Sequence, residues 1–123
     1  QVANEGAKEL RGLGARHGEA IMLHALGDVL MDRQEYGDAL LRFRQALDIF
    51  EKSADTHWRL KALQRSSDAL RGQNSNLEEA IRLSNSAVAL AQEIGDKSGE
   101  ATSLLGLGSA HRGREEFGKA IDC

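Results

Sequence analysis

Apolar residues recur along this chain at intervals of three and four, with polar residues filling the positions between them. Ala20, Leu23, Leu26 and Leu30 make one such stripe, and Tyr36, Ala39, Leu40, Phe43, Ala46, Leu47 and Phe50 make the next. That spacing places each set on one face of a helix of 3.6 residues per turn, and the period-two alternation of a half-buried strand is absent. The pattern predicts helices near residues 2–13, 17–32, 36–53, 57–71, 77–94, 98–113 and from 117 onward. Boundary residues agree with it. Asn76 with Glu79 three residues later reads as a capping box, Asp55 or Thr56 as the cap of the next helix, and Gly14 and Gly95 as left-handed C-terminal residues.

The stripes repeat. Residues 35–49 (EYGDALLRFRQALDI), 76–90 (NLEEAIRLSNSAVAL) and 116–123 (EFGKAIDC) superimpose, with Ala39, Ala80 and Ala120 in register. A second set, residues 18–30 (GEAIMLHALGDVL), 58–70 (WRLKALQRSSDAL) and 99–111 (GEATSLLGLGSAH), superimposes in the same way. The unit is about 40 residues, and the second repeat carries one extra residue within 71–76 (RGQNSN), where a turn tolerates insertion. Residues 12–20 (GLGARHGEA) match 93–101 (EIGDKSGEA), so residues 2–13 are expected to close a preceding repeat. The expected layout is 1–14 as the end of that repeat, 17–55 as repeat one, 57–96 as repeat two and 98–123 as a truncated repeat three. A first residue other than Met and an end inside an amphipathic segment are what a piece of a longer protein would have.

Composition narrows the reading to a helical chain. There is no Pro, aromatic residues are 4%, and 41% of residues are hydrophobic, mainly Ala, Leu and Ile that form helices and pack closely. The 16 Lys and Arg against 19 Asp and Glu give a formal charge of −3, without the basic footprint that nucleic acid or an anionic membrane demands. No apolar run approaches the roughly 20 residues of a membrane span, so no membrane insertion is expected. One cysteine, Cys123, excludes an internal disulfide, reads as a small residue buried in a parent protein, and favours a cytoplasmic or other intracellular setting.

At these residues the chain resembles the tetratricopeptide repeat. The family's spacing of a large residue, Leu-Gly, a bulky residue and then Ala, aromatic, Ala is met by Leu23, Leu26-Gly27, Leu30, Ala39, Phe43 and Ala46. Repeat three supplies Leu104, Leu107-Gly108 and Ala120, and repeat two the weaker Leu63, Ser66-Ser67, Leu70, Ala80, Ser84 and Ala87. Gly27, Ser67 and Gly108 are expected to face Ala39, Ala80 and Ala120, where larger side chains would force paired helices apart at ~1–3 kcal/mol. The missing Pro, the longer period and the GDKSGEA linker are similar to the long-repeat branch of spindle-orientation adaptors of the LGN or Pins kind. The resemblance implies an all-α, right-handed α-solenoid of antiparallel helix pairs, with first helices lining a groove that receives an extended peptide or helix.

Carried over by spacing, the groove positions are Ile21, His24, Ala25, Asp28 and Met31 in repeat one, then Lys61, Gln64, Arg65, Asp68 and Arg71 in repeat two. Repeat three offers Thr102, Leu105, Gly106, Ser109 and Arg112. The Asn that the adaptor branch uses to clamp a ligand backbone is missing from all of them. Arg65, Arg71 and Arg112 with Asp28 and Asp68 suit a mixed-charge partner, and they equally suit an ordinary solvated helix face.

Catalytic and metal chemistry finds no foothold. His17 and His24 share a face but are ~10.5 Å apart in rise, too far for one zinc ion. His57 reads as part of a helix N-terminal turn. Glu78-Glu79, Glu115-Glu116 and Asp28 with Asp32 fall where capping and solvation need carboxylates. Ser66-Ser67, Ser84 and Ser86 lack a His and Asp at helical spacing, and residues 106–113 (GLGSAHRG) lack the Lys-Ser/Thr and the strand of a phosphate loop. Trp58 stands where the other repeats have Gly18 and Gly99 and is read as packing on the preceding turn rather than as a partner's anchor. The expectation is a non-enzymatic scaffold or adaptor needing no cofactor, with a structural subunit wedged in a large assembly by its outer face and ends as the alternative.

Overall fold

The computed structural model describes the backbone of residues 2–74 and 76–122 and the side chains of residues 15–74 and 76–116. Among the described residues there are five α-helices and no strand: α1 (Val2–Asp32), α2 (Tyr36–Lys52), α3 (Thr56–Gln73), α4 (Leu77–Ile94) and α5 (Lys97–Asp122). Consecutive helices run antiparallel. Tyr36 and Phe50 of α2 meet Gly72 and Trp58 of α3, and Leu77 and Gln92 of α4 meet Gly113 and Glu100 of α5, one number rising as the other falls. Helices α1, α3 and α5 run parallel, with α3 touching both of the others.

The three expected breaks near 34, 54 and 75 and the one at Gly95 are present. Two further breaks are not: residues 2–13 and 17–32 form one helix, and so do 98–113 and 117–122. Gly14 therefore lies inside α1, whereas Gly95 ends α4 at φ 73° as expected. The physical difference is local. Asp96 accepts from the Gly99 N–H at 2.8 Å and Asp55 from the Trp58 N–H at 3.0 Å, so helices restart there with a cap. Ala15, at the position of Asp96 in the repeat, has no side-chain acceptor to offer. Reversals at Gln34 and Ala54 hold non-glycine residues at φ 61° and 58°. That strain, of order 1–3 kcal/mol each, is offset by the whole helix buried on the far side.

Helices α2 and α4 bury most of the stripe that their sequence marks, whereas in α1 Ala20 is buried and Leu26 is 43% exposed. Ala39, Leu40, Phe43, Ala46, Ile49 and Phe50 of α2 are buried, as are Leu77, Ala80, Leu83, Ala87, Leu90 and Ala91 of α4. Phe43 and Phe50 are wholly buried and anchor the α1–α2–α3 packing at ~1.5–3 kcal/mol each. The close approach at Gly27 is to Phe43 rather than to Ala39: a Cβ added there would lie 2.5 Å from the ring. In the next repeat, Ser67 and Ser84 occupy the places of Gly27 and Phe43. Their hydroxyls bond to each other at 2.7 Å, and Ser67 also donates to the Ala80 carbonyl at 3.0 Å. The pairing of Gly108 with Ala120, and Cys123, lie outside the residues whose side chains are described.

Asn76 caps α4 by accepting from the Glu79 N–H at 3.3 Å. The return half of the expected capping box is not made, because the Glu79 carboxylate is held by Arg82, with Arg44 at 4.0 Å. Asp55, not Thr56, caps α3, and His57 lies in its first turn. Trp58 stacks on Phe50 at 5.5 Å, the packing role read for it, and also meets His24 edge-on at 5.3 Å.

Candidate functional site

Helices α1, α3 and α5 carry the expected groove positions, and α3 packs against both of the others. The charged ones are spent mainly on one another. The Arg65 guanidinium of α3 reaches Asp28 of α1 at 2.7 Å and Asp68 of its own helix at 3.4 Å, and Arg71 closes the chain on Asp68. Gln64 donates to the Gly99 carbonyl and to Ser103 Oγ of α5, each at 3.0 Å. Polar side chains thus tie α3 to both flanking helices; Ser103 is buried and Asp28, Gln64, Arg65, Asp68 and Arg71 are half-buried. Such cross-ties are pre-organised donors and acceptors, and they are also exposed enough that each pair is worth only ~1 kcal/mol or less.

His24 does not stand on this surface. Its ring is 6% exposed, packed edge-on to Phe43 at 5.1 Å and to Trp58, with Nε2 3.8 Å from Asp28 and Nδ1 without a hydrogen-bond partner. Burial holds its pKa below the usual 6.5; Asp28 opposes the shift, and the nearby Arg65 and Lys61 reinforce it. A residue expected to greet a partner is instead part of the core, because α3 crosses α1 where Trp58 covers it.

The remaining positions are open to different degrees. Met31 is half-buried against the core, Lys61 lies over the Trp58 ring at 4.8 Å, and Leu105, Ser109 and Arg112 are exposed on α5, Leu105 at 75%. The structure therefore brings Asp28, Arg65, Asp68 and Arg71 together, adds Gln64 through Ser103, and leaves Leu105, Ser109 and Arg112 apart from that cluster.

Two features were not foreseen in the sequence. The first is the His17–Asp55 contact at 2.6 Å, joining α1 to the cap of α3. Desolvation raises the Asp55 pKa, but the Trp58 N–H and His17 outweigh it and hold the carboxyl below its ordinary value. The second is a cleft of about 550 Å³ on the opposite side, between α2 and α4 with α3 beneath. Its one sequence signal is Ser66, which stands where the other repeats carry Leu26 and Leu107.

No group of three His, Cys, Asp or Glu among the described residues is placed to hold a metal ion, and no described helix is long and apolar enough to cross a membrane. Fold and site together define an all-helical chain of sequentially packed antiparallel helices with a polar, cross-tied face. Compared with protein-family models, curated proteins and solved structures, the chain matches none.

Proposed function

We propose that this chain is a segment of a tetratricopeptide-type solenoid and serves as a protein-binding scaffold or adaptor, receiving a peptide or helix of another protein along the α1–α3–α5 side. The observation that supports this best is the row Asp28, Arg65, Asp68 and Arg71. These are half-buried, oriented charges, shared between parallel helices and able to exchange their internal partners for those of a mixed-charge ligand. Leu105 of α5, 75% exposed, offers an apolar anchor. Arg65, Arg71 and Arg112 changed together to Glu should abolish capture of a specific partner by the immobilised chain while its helical circular dichroism persists. Unchanged capture would move the interface elsewhere.

A second reading, a structural subunit held in an assembly by its ends, is favoured by a different observation. Met22, Leu26 and Val29 on α1 are 74%, 43% and 52% exposed, whereas their counterparts Ala62, Ser66 and Ala69 on α3 are buried. An apolar stripe left open in this way is the kind of surface that neighbouring protein covers.

A further inference from the structure

The repeat register makes Ser66 an anomaly. Position 26 of α1 and position 107 of α5 are Leu, yet α3 places a hydroxyl there that is 0% exposed and has no hydrogen-bond partner. A serine lacks most of the volume of a leucine, and the space above Ser66 is the cleft of about 550 Å³ between α2 and α4. That size falls within the range of formed ligand sites. Leu47, Leu63, Leu83 and Leu90 wall it with apolar surface.

Its rim is basic. Arg44, Arg59 and Arg82 line the cleft against Glu51 and Glu79, and Glu79 is already claimed by Arg82 and approached by Arg44. Arg59, half-buried, makes no ion pair among the described residues. A half-buried cation with no ion pair of its own, above an orphaned buried hydroxyl and among four leucines, describes what is missing: an apolar side chain flanked by carboxylate.

We propose that the α2–α3–α4 cleft is a second binding site, for an acidic segment of a partner protein that inserts one large apolar side chain. The inserted side chain seats over Ser66, the position at which the sister repeats carry the large apolar Leu26 and Leu107. Arg59, with Arg44 beside it, receives the flanking carboxylates. This site lies across the molecule from the α1–α3–α5 row and does not depend on that row binding anything.

The test uses a fluorescein-labelled peptide of alternating Glu and Leu, with a Lys-for-Glu and an Ala-for-Leu version, in fluorescence polarisation against the whole chain. The Glu-Leu peptide should bind at least about tenfold tighter than either control, and more weakly as salt rises. Ser66→Leu fills the cleft with the residue of the other repeats and should abolish binding while the melting temperature holds or rises. If Ser66→Leu fails to fold, Arg59→Glu carries the test, with an expected loss of about tenfold or more. Binding should survive the triple change of Arg65, Arg71 and Arg112 to Glu, which separates this site from the proposed groove. Failure of the Glu-Leu peptide to bind, or equal binding by Ser66→Leu and Arg59→Glu, overturns the proposal.

Discussion

His24 is packed between Phe43 and Trp58 with Asp28, Arg65 and Lys61 around its edge, and its depressed pKa makes it a pH-dependent element of stability. The unfolded chain binds a proton on this ring at about pH 6.5, and the folded chain only at lower pH. Between those two values the unfolded state carries more protons, so stability is fullest above about pH 6.5 and declines as pH falls through that window. His24→Gln, which installs the residue that α3 carries at the matching position (Gln64), should flatten this decline. Melting temperatures of both proteins from pH 7.5 to 5 would measure it, and equal slopes would count against the burial argument. The Asp55 carboxyl, held low, adds its own loss of stability only at more acidic pH. None of this was legible in the sequence, where His24 read as a groove residue: periodicity assigns a side chain to a helix face, not to whichever aromatic a distant helix brings over it.

At the scale of the element, glycines separate into those that permit contact and those that merely sit in a helix. Gly27 is buried under the Phe43 ring, itself wholly enclosed, so a methyl group has nowhere to go. Gly27→Ala should lower stability by ~1–3 kcal/mol. Gly18 has nothing within 4 Å of an added Cβ among the described residues. Gly18→Ala should raise stability by up to ~1 kcal/mol through helix propensity alone. Urea denaturation midpoints with unchanged slope would report both, and a common sign for the two changes would contradict the packing. That a small residue was needed at position 27 could be read from the repeat. Its partner was misplaced by one turn, Ala39 for Phe43, because the crossing of two helices fixes which rung meets which.

For the whole molecule, the order of packing dictates where structure is most secure. Helix α3 is pressed between α2 and α4 and touches α1 and α5 as well, while α1 and α5 each rest mainly on a single neighbour. Stability in such a chain is close to a sum over adjacent pairs. Amide hydrogen exchange should therefore be slowest in the middle of α3, at Ala62, Leu63 and Ala69, and faster in α1 and α5 despite their greater length. Uniform protection across the five helices would argue for one cooperative core instead.

What the sequence determined by itself is local and periodic: helices rather than strands, their buried stripes, the caps at Asp55, Asn76 and Gly95, and the recurrence of one unit every forty or so residues. These follow from a few neighbouring residues along one chain segment, whose energies a single helix already contains. The tertiary structure alone decided that His24 is sealed under Trp58, that Arg65 reaches across to Asp28, and that Ser66 underlies a cleft. Each of those is a balance between segments distant in sequence, set by the rotation and separation of whole helices, and that information is carried by packing rather than by spacing.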